Sequence, residues 1–113
     1  MGDGGIDLPE IAAEQQGPGV VWTQEAGGDL NANLVRFPEG AGVGEHVNDE
    51  VDVLFLGVSG SGMLVVDGDE VPLESGRLVL VPKGASRATR ATSEDFAYLT
   101  VHRRRGPVRL GGR

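Results

Sequence analysis

The stretch Gly76-Arg77-Leu78-Val79-Leu80-Val81-Pro82-Lys83-Gly84-Ala85-Ser86-Arg87 decides the fold. Its apolar run is too short for a helix and is bounded by a glycine on one side and by Pro-Lys-Gly on the other, so it reads as a strand between two turns. Pro82 stops the strand where no amide donor is needed, and Gly76 and Gly84 supply turns that bulkier residues resist. Leu78 and Leu80 alternate with Arg77, Val79 and Val81, which gives the strand a buried face.

Working outward, the same punctuation recurs. Upstream, Val51 to Val58 (VDVLFLGV) is the most apolar run, and Ser59-Gly60-Ser61-Gly62 reverses it into Met63 to Asp67 (MLVVD). Asp67-Gly68 is a hairpin signal leading into Glu70 to Leu73. Further candidate strands are Val20 to Thr23, Leu30 to Phe37, Gly44 to Asn48, Ser86 to Ala91 and Phe96 to Arg103. Only Leu8 to Gln16 suits a short helix. Many short strands with close turns require antiparallel pairing, because parallel strands need long crossovers. Closing such a sheet removes its edges, so the expected class is all-β, a single-domain antiparallel β-barrel or jelly roll. Residues 20–105 form the expected barrel, 1–19 an extension that is mobile or a short helix, and 106–113 a basic tail.

Composition narrows the function classes. The 113 residues suit one domain with its own core. No cysteine is present, which excludes disulfides, thiolate metal sites and cysteine nucleophiles. The formal charge of −7 argues against nucleic acid as a partner, although Arg103, Arg104, Arg105, Arg109 and Arg113 crowd the C-terminus. No apolar run is long enough to cross a membrane, and no secretory signal precedes the first strand, so a cytoplasmic location is expected.

Gly40 to Arg87 resembles the two sequence motifs of the cupin superfamily. Gly44-Glu45-His46-Val47-Asn48-Asp49-Glu50-Val51-Asp52 matches the first, and Gly76 to Arg87 keeps every spacing of the second except its terminal histidine. The resemblance implies a barrel and a metal held by histidines and a carboxylate. Carried over residue by residue, those positions are His46, Asn48, Asp52 and Arg87. Only one histidine remains. Asn48 offers a weak carbonyl oxygen, Asp52 is a shorter carboxylate, and the Arg87 guanidinium is permanently protonated and cannot be a ligand. No cofactor is therefore expected, and a divalent metal, if one binds, would fall to His46, Asn48 and Asp52.

Alternation places His46 and Asn48 in the barrel interior, with Asp52, Leu54 and Leu56 following on the next strand. On this reading an Arg87–Asp52 pair replaces the metal, with His46 and Asn48 as hydrogen-bond partners. Arg36, sharing parity with Leu34 and Ala32, is a candidate second cation of the interior. His102 is a candidate rim residue. The leading expectation is a module that binds a small anionic or sugar-like ligand through His46, Asn48, Asp52, Arg87 and Arg36. One alternative is an enzyme: a metal-independent isomerase or lyase with His46 as acid or base, or an oxygenase with an unusual metal site. The other is a structural homodimer without ligand. The resemblance also implies a second copy of the chain as partner, with Val20 to Thr23 crossing between subunits.

Overall fold

The computed structural model describes residues 4–15, 17–24 and 28–104. The basic tail 106–113, with Arg109 and Arg113, lies outside the described residues, as does Arg105 just before it. One helix, α1 (Leu8–Glu14), precedes nine strands: β1 (Gly19–Thr23), β2 (Leu30–Phe37), β3 (Gly42–Val47), β4 (Val53–Ser59), β5 (Ser61–Val66), β6 (Asp69–Glu74), β7 (Leu78–Val81), β8 (Ser86–Ala91) and β9 (Phe96–Arg103). They form two antiparallel sheets, ordered β1-β2-β9-β4-β7 and β3-β8-β5-β6. The all-β jelly roll expected from the strand spacing is what forms.

The turns act where the sequence placed them. Asp67-Gly68 reverses β5 into β6 with both residues at positive φ, 50° and 88°, the conformation that an Asp-Gly hairpin favours. Gly84 has φ 89°, and its amide donates to the Asn48 carbonyl. That bond ties the Pro82-Lys83-Gly84 turn to the loop after β3.

The two inner faces meet in one apolar core built from Val35, Phe37, Val51, Val53, Phe55, Leu64, Leu73, Val81, Phe96 and Tyr98. A second, smaller cluster lies on the outer face of the five-stranded sheet, where Ala12 of α1 packs on Leu34, Val58 and Ala97. Asp7 caps the helix by accepting from the Glu10 amide, and Pro9 sits in its first turn.

Two expectations about strand faces are corrected. Arg36 does not line the barrel: the inward residues of β2 are Val35 and Phe37, whereas Leu34 belongs to the outer cluster. Arg36 shares that outer side and donates from Nε to the Ala12 carbonyl at 3.0 Å, tying α1 to the sheet. In β4 the inward residues are Val53 and Phe55, so Asp52, Leu54 and Leu56 point outward. Parity does not carry from β3 into β4, because residues 48–52 form a loop between them. Likewise the buried face of β7 is that of Val79 and Val81. Leu78 and Leu80 are 62% and 58% exposed and lie beside Leu56 and Leu54.

Candidate functional site

One end of the barrel is filled. Phe96 and Leu64 are fully buried there, and the Phe96 ring lies so close over Gly62 that a Cβ at that position would overlap it. The other end holds an open cavity of about 260 Å³. Going from the filled end to the open one, β8 turns Ala91, Thr89 and Arg87 inward, and β9 turns Phe96, Tyr98, Thr100 and His102 inward. Tyr98 stands at the boundary, its ring 5.2 Å from that of Phe96 and 5.7 Å from that of Phe55.

The walls are apolar, with Val35, Phe37, Val53 and Phe55, and the polar groups converge from β3, β8 and β9. Arg87 dominates. It is 3% exposed, and its guanidinium donates from Nε to the Ala85 carbonyl at 3.1 Å and from Nη2 to the Pro82 carbonyl at 3.3 Å. Both acceptors are neutral. Burial pulls its pKa down, and the negative charge of Asp67 partly offsets this. An arginine so placed still carries its proton at neutral pH. Asp67 itself accepts from the Ser86 amide.

His46 lies directly across from Arg87 in the β3–β8 ladder. It is bonded through Nδ1 to the Gly44 carbonyl at 3.0 Å. A carbonyl only accepts, so Nδ1 carries the proton and Nε2 is left to the cavity side. His102, which also lines the cavity, is set the same way by the Arg103 carbonyl. Asn48 lines the cavity too, but its Oδ1 accepts from the amides of Glu50 and Val51, which shapes the turn into β4.

The structure thus brings together His46, Asn48 and Arg87 and leaves Asp52 outside. Asp52 is exposed and accepts from the Lys83 amide at 2.9 Å, so it pins the Pro-Lys-Gly turn from the solvent side and does not pair with Arg87. These residues do not fit the metal implied by the motif: the Asn48 oxygen is engaged, the carboxylate faces away, and a cation occupies the fourth position. Among the described residues no group of three or more His, Cys, Asp or Glu side chains is arranged to hold a metal ion.

Three polar cavity residues escaped the sequence reading: Thr89, Tyr98 and Thr100. The signal was present in the alternation of Phe96, Tyr98, Thr100 and His102, which puts all four on one face. Tyr98 Oη and Thr89 Oγ1 lie 3.0 Å apart, and Thr89 Oγ1 also accepts from the Val43 amide at 3.2 Å. Burial raises the Tyr98 pKa, and the bond to Thr89 opposes that rise.

A family profile described as "Cupin domain" matches residues 33–102, more than half the chain. The chain belongs to the cupin family. No curated protein matches it. Among solved structures, this cupin resembles KdgF from Halomonas sp., with 21% identity over 75% of this chain and 77% of that one and a TM-score of 0.69. It also resembles a protein of Thermus thermophilus, with 22% identity over 82% and 87% and a TM-score of 0.66. A cupin protein of Bacteroides fragilis shows 22% identity over 74% and 73% and a TM-score of 0.64. At these identities the likeness is one of fold.

Proposed function

We propose that this cupin binds a small organic anion in its barrel, with Arg87 as the anchor in place of a metal. The observation that carries the reading is a buried guanidinium on the cavity wall whose hydrogen-bond partners among the described residues are the neutral carbonyls of Ala85 and Pro82. Two of its five N–H groups donate to those carbonyls, and the other three have no acceptor among the described residues. A carboxylate arriving end-on meets two of them as a fork. The apolar walls favour a ligand with a hydrocarbon body, and the modest volume limits it to a small one. His46 and His102 flank the same space.

Titration of the protein with hexanoate and with inorganic phosphate, followed by amide and side-chain NMR shifts, tests this. Saturable shifts confined to cavity residues are expected, and Arg87→Met should weaken the anion about a hundredfold, as expected for loss of a desolvated charge partner. Equal affinity in wild type and Arg87→Met would exclude Arg87 as the anchor.

We infer, separately, that a second copy covers the outer face of β4 and β7. Exposed Leu54, Leu78 and Leu80 lie there in one patch, of a kind that marks interfaces. Asp52 and Arg103 border the same face with opposite signs, which suits contact with itself. Sedimentation should find a concentration-dependent dimer that Leu78→Asp/Leu80→Asp dissociates; an unchanged sedimentation coefficient would remove the idea.

A further inference from the structure

The hydroxyls of Thr89 and Tyr98 hold more protons than they have acceptors. Each hydroxyl has one proton, and Tyr98 and Thr89 are only 2% and 6% exposed. Thr89 Oγ1 accepts the Val43 amide proton, and the two hydroxyls share one bond. If Tyr98 donates to Thr89, the Thr89 proton is left over. If Thr89 donates to Tyr98, the Tyr98 proton is left over. Either way one O–H at the cavity wall has no acceptor among the described protein groups.

A buried donor needs an acceptor, and here only the cavity can supply one. Thr89 and Arg87 are two residues apart on one strand, so their Cα atoms lie about 7 Å apart along β8. The guanidinium folds back toward Ala85 and Pro82, away from Thr89, which lengthens the gap. The walls around them are Phe37, Phe55, Val35 and Val53, with the Thr100 hydroxyl on β9. The cavity therefore presents a cation near its mouth, a mainly apolar middle into which Thr100 also projects, and a hydroxyl donor at its floor.

Building on the anion-binding reading, we propose that the preferred ligand is a carboxylate carrying a second acceptor oxygen, a carbonyl or a second carboxylate, several bonds along its chain. The carboxylate takes the Arg87 fork, and the distal oxygen takes the proton left over by Thr89 and Tyr98. A site with a buried donor discriminates strongly against an analogue that cannot accept from it, because that donor then stays unpaired. The pair also predicts an asymmetry between variants. Tyr98→Phe leaves the Thr89 proton in place, so one donor survives. Only Tyr98→Phe/Thr89→Val removes both.

The test compares the matched ligands 5-oxohexanoate and hexanoate by NMR titration in wild type, Tyr98→Phe and the double variant. In wild type the oxo acid should bind at least about tenfold more tightly. The preference should persist in Tyr98→Phe and vanish in the double variant. Equal affinities in wild type, with binding still dependent on Arg87, would overturn the distal-donor inference and leave the anion site standing. No binding of either acid, nor of adipate, would overturn both. Should the double variant fail to fold, the wild-type comparison and the Tyr98→Phe ratio still decide the matter: a preference lost in Tyr98→Phe alone contradicts the proton accounting.

Discussion

The filled and open ends of the barrel use the same strands for opposite purposes. At the filled end, β5 and β9 meet so closely that Gly62 is required beneath the Phe96 ring, and the buried side chains there are apolar among the described residues. At the open end, the same β8 and β9 carry a buried cation, three hydroxyls and a histidine around a void. Protein interiors close-pack when nothing prevents it. A cavity that gathers polar groups in a barrel that packs densely elsewhere is the feature on which the proposed binding rests.

Phe96→Ala gives the largest effect. Removing a fully buried ring should lower unfolding stability by about 3–5 kcal/mol, measured by urea denaturation, while anion affinity in the folded fraction changes little. A loss smaller than about 1 kcal/mol would mean that the filled end is not the stabilising end. Arg87→Met should behave in the opposite way. The guanidinium loses hydration without gaining a buried carboxylate, so its removal offsets the loss of two carbonyl bonds and stability should stay within about 1 kcal/mol of wild type. A large destabilisation would assign Arg87 a mainly structural role.

A smaller effect concerns pH. Tyr98 has a folded pKa above its unfolded value of about 10. Its contribution is present in full below that value and is lost as pH rises through the folded pKa, because the unfolded chain releases the proton first. Unfolding stability should therefore fall more steeply above about pH 10 in wild type than in Tyr98→Phe. Identical alkaline slopes would mean that Tyr98 does not sense the boundary between core and cavity.

The site was legible in part, and the residues show why. His46 and Arg87 fall where the motif spacing places them, since a strand and its turns fix register over a short distance. Asp52 was misplaced because the Asn48 turn resets the alternation before β4, and a turn held by side-chain bonds to the Glu50 and Val51 amides leaves no periodic trace. Arg36 was misplaced because β2 is apolar on both faces. One face meets the core and the other meets α1, so hydrophobicity alone does not tell them apart. The Thr89–Tyr98 pair joins strands of opposite sheets across the interior, a contact that parity permits but does not specify.

The sequence by itself determined the succession of strands and turns, the all-β class, the family frame and the replacement of a metal-ligand position by a permanent cation, because these depend on local backbone preference and on residue chemistry. Tertiary structure alone decided which face of β2 and β4 is inward, that Arg87 meets neutral carbonyls and not Asp52, and that two hydroxyls share a single bond at the cavity floor. Those outcomes depend on where loops reset the side-chain alternation and on which strands face each other across the barrel, and neither is written in the spacing of residues along the chain.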